Sequence, residues 1–393
     1  MITDKHKKYY FLSVFVFELA RTLPHAVLTL FFFDRGIRVE HIAMIQIFYM
    51  AAIIIFEFPS GLLSDLFDRK VVYLVSVFFS IIAYALIFFS TTLIMLGISW
   101  FLYGMSSAFN TGTLDVSFTR VYKGDGAKLK TFLSMGNIIL SISAVIGGFI
   151  GSILFRNISH YIFVISCGLY VLSALVTMLF IPSDRSRIKQ GKSYKEYIKS
   201  MVGNITKMYS SGVLIKLVIL MSAVQFFFQP FYQYWQALFI QNGISPATFG
   251  VMYVVFRLSF AIAAWLFKKI QHSNRNTYII LFIVIVLTIL SNLDIHEWYL
   301  IVATPAMIIC VYIYLLNLDN CLRENVDVSV LGTVESINNT ATRMVSIVVL
   351  LCSSLLVSIF DVTVMFTVLI VVFVLVSGVI NLLVGKQSNS CKL

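Results

Sequence analysis

Charged side chains set deep in apolar sequence are the residues with chemistry to offer. Between Tyr9 and Phe33, a run of mostly aromatic and aliphatic residues, stand Glu18, Arg21 and His25. Glu18 and Arg21 are three apart and His25 follows four later, which sets them along one side of a helix. A carboxylate beside a guanidinium offers proton transfer, binding of an anionic group, or an ion pair kept for packing. Spacing alone leaves all three open. His25 reads more readily as a hydrogen-bonded helix histidine than as a proton relay. Glu57, Arg257 and Arg343 are further isolated charges within apolar runs. Each is costly in hydrocarbon, and such residues face a protein interior or a water-filled cavity. Arg257 and Arg343 have no acid within about a turn on their own helices, which favours a cavity-facing role.

A second polar pattern is uncharged. Gln225, Gln229, Gln233 and Gln236 fall within about 80° of one another at helical spacing. Tyr232, Tyr234 and Trp235 flank them, and Pro230 interrupts the helix donors. Four amides cannot face hydrocarbon. They serve either hydrogen bonds between helices or the wall of a cavity, with Trp235 as an aromatic face.

The elements that position these residues follow from composition. Of 393 residues 59% are hydrophobic, 35 are Phe and 12% are charged. A water-soluble domain of this size has no interior large enough to hide so much apolar surface, so lipid is its solvent. The net charge of +11 is not a nucleic-acid footprint, because the basic residues lie between apolar runs and form no basic face. The five cysteines show no metal-ligand spacing or disulfide framework. No P-loop, G-x-S-x-G, HExxH or dinucleotide-binding glycine pattern is present. No enzyme, metal site or cofactor is expected.

Twelve apolar segments can be drawn, at about 9–33, 41–63, 71–91, 94–117, 131–154, 160–181, 212–240, 247–267, 277–293, 297–318, 330–358 and 362–384. Each approaches the roughly 20 residues a spanning helix needs. The first is too long for the apolar core of a signal peptide and reads as an uncleaved span. Residues 183–211 break the pattern with Arg185, Arg187, Lys189, Lys192, Lys195, Lys199 and Lys207. They divide the chain into an N-terminal half, 1–182, and a C-terminal half, 212–393. Tyr194, Tyr197, Ile198, Met201, Val202 and Ile205 recur there at helical spacing, as in an amphipathic helix on a membrane surface; a solvated tether fits equally. Of the 29 Lys and Arg, only Arg35, Arg38 and Arg156 fall in loops on the side opposite the N-terminus. That asymmetry predicts both termini in the cytoplasm. Spans 4 and 5 carry small residues at packing intervals: Gly104, Ala108 and Gly112, then Gly147, Gly148 and Gly151.

The densest charge cluster is Glu57-Phe-Pro59-Ser-Gly61-Leu-Leu-Ser-Asp65-Leu-Phe-Asp68-Arg69-Lys70, between spans 2 and 3. It resembles the loop signature of the major facilitator superfamily, G-x-L-a-D-r-x-G-r-k, with Gly61, Leu63, Asp65, Arg69 and Lys70 in matching places. Its lead-in, Glu57-x-Pro59-x-Gly61, is similar to a variant found in drug-efflux-like members. The resemblance implies an all-α membrane protein of 12 transmembrane helices in two six-helix bundles, binding a small-molecule substrate between halves that rock for alternating access. It also implies a gating latch. Gly61 would allow close helix approach, Asp65 would face the start of span 11, and Arg69 would pair with Asp115 on span 4.

The family's second Gly is replaced by Asp68, which leaves the turn geometry open. Span 5 lacks the family's Gly-Pro motif, span 4 lacks its arginine, and the second-half copy of the signature near Lys268–Arg275 is degenerate. The expectation is a monomeric multi-pass protein of the cell membrane, of bacterial plasma-membrane type, performing proton-coupled efflux of an amphipathic or aromatic compound. Glu18 and Glu57 are the proton candidates. Arg21, His25, Arg257, Arg343, the glutamines and Trp235 are the candidates for the cavity. Import of a nutrient or metabolite, another coupling ion, or a non-transporting receptor or assembly factor on the same fold are the alternatives.

Overall fold

The computed structural model describes residues 3–122, 125–183, 212–269, 274–291, 298–326 and 331–384, except for a few side chains, Asp65 among them. The expected amphipathic stretch in 183–211 falls almost wholly outside the described residues. All regular structure among the described residues is helical, as it must be where no water can satisfy backbone groups. The helices are α1 (Lys7–Thr22), α2 (Leu28–Asp34), α3 (Val39–Leu66), α4 (Arg69–Phe89), α5 (Leu93–Asn110), α6 (Leu114–Val121), α7 (Gly126–Ile158), α8 (Ile162–Phe180), α9 (Gly212–Ala223), α10 (Gln225–Gln241), α11 (Phe249–Phe267), α12 (Asn274–Leu290), α13 (Trp298–Glu324), α14 (Leu331–Ile359) and α15 (Val362–Val384). Nine stretches of the described residues are long and apolar enough to cross a membrane, three of them joining two helices each: α5 with α6, α7 with α8, and α9 with α10. Ile94, Leu179 and Ile359 are 75%, 72% and 72% exposed, an arrangement suited to lipid.

Three apolar segments hold two helices each. The first breaks between α1 and α2, where Pro24 follows the end of α1 and the chain turns by His25 N–H to Thr22 carbonyl and Val27 N–H to Pro24 carbonyl bonds, 3.0 and 3.1 Å. Proline has no N–H to extend the helix. The fourth breaks between α5 and α6 at Gly112, whose φ of +72° favours glycine. Gly112 is therefore a turn residue, and no neighbour would meet a Cβ there. This corrects its place in a packing stripe. The seventh breaks at Val224, whereas Pro230 lies inside α10.

The chain forms two compact units: residues 1–191 with 247–254, and 192–246 with 255–393. In the first unit, α3 packs on α5, α4 on α5 and α8, and α1 on α7 and α8. Glycines permit two of these contacts. A Cβ at Gly104 would collide with the Tyr49 carbonyl and Ala52, and Cβ atoms at Gly147 and Gly151 would collide with Thr22 and the Leu23 carbonyl. A buried hydroxyl knot pins α1, α4 and α8. Ser13 Oγ lies 3.1 Å from Tyr73 Oη, 3.0 Å from Ser173 Oγ and 2.7 Å from Thr177 Oγ1. In the second unit α10 packs on α14 and α15, and α12 on α13 and α15. The Val362 N–H donates to Gln241 Oε1 at 3.0 Å, which ties the start of α15 to the end of α10.

Candidate functional site

Glu18 and Arg21 meet in the last turn and a half of α1, inside the first unit. The guanidinium grips the carboxylate with both ends of its fork: Nε donates to Oε2 at 2.7 Å and Nη2 to Oε1 at 2.5 Å. Glu18 is 5% exposed, whereas the Arg21 side chain is 34% exposed. The pair therefore has a buried carboxylate end and an open guanidinium end. Paired charges of this kind form short, directional bonds.

Four tyrosines from four other helices wall the pair. Tyr103 of α5 and Tyr49 of α3 lie within electrostatic reach of Arg21. The Tyr84 hydroxyl of α4 donates to the Arg21 carbonyl at 2.9 Å. Tyr84 is edge-on to Tyr103 and to Tyr170 of α8, with centroids 5.6 and 5.2 Å apart, and Tyr49 and Tyr103 are 5.2 Å apart. His25, at the break after α1, lines a small cavity with Tyr84, Trp100, Tyr103 and Phe163. The structure thus brings Glu18, Arg21 and His25 to one region, set among aromatic rings. Sequence reasoning missed the tyrosines. Their signal was depth, because membrane tyrosines favour the interfaces and these stand within spans.

The stretch around 57–70 forms the α3–α4 connection. Asp68 is the N-cap of α4, with φ −63° and ψ 119°, and its carboxylate accepts from the Lys70 N–H at 3.0 Å. The turn needs no glycine, and Asp68 stabilises the helix start. Lys70 Nζ donates to the Met178 and Ile181 carbonyls at 2.9 and 2.6 Å, capping the end of α8 with a cation where the helix dipole is negative. Arg69 is buried, 4% exposed, and its charge acts on the Asp115 carboxylate of α6. The Asp65 side chain lies outside the described residues. A Cβ on Gly61 would meet nothing within 4 Å, so Gly61 does not serve close packing; Gly104 is where α3 and α5 need the missing side chain. Glu57 is half-buried, and its carbonyl accepts from Ser60 Oγ at 2.9 Å. At the same end, Asp4 accepts from the Tyr122 hydroxyl and pairs with Lys7 at 3.6 Å. The Tyr122 bond, then Lys7, holds the Asp4 carboxyl below the usual carboxylate range.

In the second unit the glutamine stripe splits. Gln229 and Gln236 are buried, whereas Gln225 and Gln233 are half-buried. Gln229 Nε2 donates to Gln225 Oε1 at 3.1 Å, and Ser346 Oγ of α14 donates to the same oxygen at 3.3 Å. Part of the stripe is therefore a clamp between α10 and α14. Arg343 lies three residues before Ser346 and is half-buried, as is Arg257 on α11. Trp235 is 5% exposed, edge-on to Phe256 and Phe239 at 5.1 and 5.6 Å. It packs in the interior of this unit, which corrects the expectation of an open aromatic face. Among the described residues no three His, Cys, Asp or Glu cluster closely enough to hold a metal ion.

A chain whose described residues are helical, with long apolar helices, lipid-suited surfaces and an ion pair within a bundle, its carboxylate buried, is a multi-pass membrane protein built around a polar interior. Residues 10–318 match the family model described as Major Facilitator Superfamily, and the chain belongs to that superfamily. It has the fold of a membrane transporter rather than of an enzyme. Solved structures similar to it include the nucleoside transporter NupG, with 13% identity, TM-score 0.74, and 98% of this chain and 100% of that one covered. A bacterial homolog of the human lysosomal transporter Spinster, inward-facing and occupied, has 12% identity, TM-score 0.76 and 98% coverage of both chains. A POT family transporter in complex with 5-aminolevulinic acid has 13% identity and TM-score 0.76, covering 97% of this chain and 96% of that one. At these identities the likeness is one of fold. No curated protein matches the chain in sequence.

Proposed function

We propose that the protein is a secondary active transporter of the cell membrane, with twelve spans in two six-helix bundles and both termini cytoplasmic. Its cargo is an amphipathic or aromatic compound, exported in exchange for protons. The observation that carries this reading is the Glu18–Arg21 pair, held by two bonds among four tyrosines inside the first unit. A buried ion pair is rarely more stable than well-packed apolar residues of the same volume, so stability alone does not account for it. The open guanidinium offers an anionic or polar group a place to bind beside rings that hold an aromatic body. A cargo group that draws Arg21 away leaves Glu18 without its cation, and a carboxylate in low dielectric without a cation favours its neutral form. Cargo binding and protonation of Glu18 are then coupled through one guanidinium, and exchange follows where a donor on the cargo competes with the proton for the Glu18 carboxylate. Glu57 is the second proton candidate.

The charge of Arg69 on Asp115 supports a latch at the cytoplasmic end, to which Asp65 would contribute from the end of α3. The Glu57-x-Pro59-x-Gly61 lead-in supports export. The test is transport by purified protein in liposomes under an imposed pH gradient, against a panel of labelled aromatic acids and amphiphiles. Proton-driven movement that is lost in Glu18→Gln and retained in Arg156→Gln is the expected result. Unchanged coupling when Glu18 and Glu57 are both Gln refutes proton carriage by these residues. Cargo moving with the proton rather than against it turns the same assay toward import.

A further inference from the structure

We propose that the cargo held at Arg21 is an aromatic zwitterion, a ring bearing one carboxylate and one ammonium, as in an aromatic amino acid; this rests on the reading of Glu18 and Arg21 as the cargo site. A guanidinium carries five N–H donors, and Glu18 takes one from Nε and one from Nη2. The remaining donors, on Nη1 and Nη2, share the edge turned away from Glu18. That edge is a two-nitrogen fork, which matches a carboxylate. The Arg21 side chain is 34% exposed. A charge with that much open surface, in an apolar segment of spanning length, faces water rather than lipid, so an arriving carboxylate can reach it.

Charge balance decides what else the cargo carries. Among the described residues Glu18 is the acid paired with Arg21, and the two charges cancel. A lone carboxylate on Arg21 sets two anions on one cation, and a lone ammonium on Glu18 sets two cations on one anion. Either leaves a charge unmatched at low dielectric. A zwitterion leaves none. Its carboxylate takes the open edge of Arg21, and its ammonium donates to Glu18 Oε1, the oxygen held by Nη2 and so the nearer to that edge. Its ring packs on Tyr49 and Tyr103, the tyrosines within electrostatic reach of the guanidinium. The Tyr49 hydroxyl is already given to Ser107 Oγ at 3.1 Å, so this wall offers the cargo a ring rather than a donor. Ammonium and proton compete for one carboxylate, which makes their binding alternate.

Three probes share one phenyl group: phenylalanine, 3-phenylpropionate, which lacks the ammonium, and phenethylamine, which lacks the carboxylate. Equilibrium dialysis of each radiolabelled probe against detergent-purified full-length protein, with protein-free micelles subtracted, gives affinities without any gradient. Wild type is expected to bind phenylalanine saturably and roughly tenfold or more tighter than the other two, the worth of one charge-assisted hydrogen bond. Glu18→Gln should erase the preference for phenylalanine over 3-phenylpropionate, and Arg21→Met the preference for phenylalanine over phenethylamine. Retained 3-phenylpropionate binding in the first variant, and phenethylamine binding in the second, shows that each is folded. No saturable phenylalanine binding by wild type, acid or amine bound as tightly as phenylalanine, or a preference that survives both substitutions each overturns the assignment. Proton-driven movement of an acid or amine without phenylalanine binding sinks the zwitterion and leaves the exchange reading standing; phenylalanine binding without proton-driven movement does the reverse.

Discussion

Replacing Glu18 by Gln removes a carboxylate that accepts two bonds from one guanidinium, at 2.7 and 2.5 Å, from a position 5% exposed. Breaking one side of a fully buried ion pair costs about 3–5 kcal/mol. Here the Arg21 side chain is 34% exposed, so water reclaims part of its charge and about 2–3 kcal/mol is the expected loss. For a unit of this size each kcal/mol lowers the melting temperature by roughly 2–4 °C, giving a fall of about 5–10 °C. Arg21→Met should cost more than Glu18→Gln, because it strands the more deeply buried partner. The double variant leaves no unpaired charge, and its loss should be about 1–2 kcal/mol less than the sum of the singles. Thermal unfolding in detergent, followed by intrinsic fluorescence, measures the whole cycle. Singles that add with no coupling would refute the argument, because two groups joined by two charge-assisted bonds cannot act independently.

Three other outcomes follow from the same geometry. Gly104→Ala and Gly151→Ala should each lower stability by about 1–3 kcal/mol, the usual cost of overpacking, because the new Cβ meets backbone carbonyls; Gly61→Ala, in open space, should leave the melting temperature within a degree or so of wild type. Asp68→Ala should cost about 1 kcal/mol as a lost N-cap, whereas Asp68→Gly, which restores the family residue, should cost only a few tenths; thermal melts separate the two. Asp4 holds its carboxyl low through Tyr122 and Lys7, so its contribution is fully present above the ordinary carboxylate pKa and is lost as pH falls through the lowered one. Amide exchange at residues 4–8 should accelerate only in that acid window, and Tyr122→Phe should move the window upward.

Much of the architecture was legible without coordinates because the bilayer imposes it. Apolar runs of spanning length must be helical, and every apolar segment drawn from the sequence holds one or two helices. Helix interruptions followed local chemistry only in part. Pro24 marks the break after α1, but the Val224 break stands six residues before Pro230, which α10 accommodates. The pairing of Glu18 with Arg21 was one of three readings that a three-residue spacing permits. Its bidentate geometry depends on rotamers chosen by packing.

Sequence by itself determined the solvent of this protein, its helical class, the charges that lipid would not tolerate and the signature that places it in its superfamily. Each of these is local, resting on residue type and near-neighbour spacing. Tertiary structure decided what those residues touch. It gathered Tyr49, Tyr84, Tyr103 and Tyr170 around Arg21 from four helices and turned Trp235 into the interior. It also gave Asp68 the role of a cap and Lys70 that of an anchor on α8. Such contacts join residues more than a hundred positions apart, and no helical period or loop pattern encodes them; the rotation of each helix about its axis does, and that is set by all its neighbours at once.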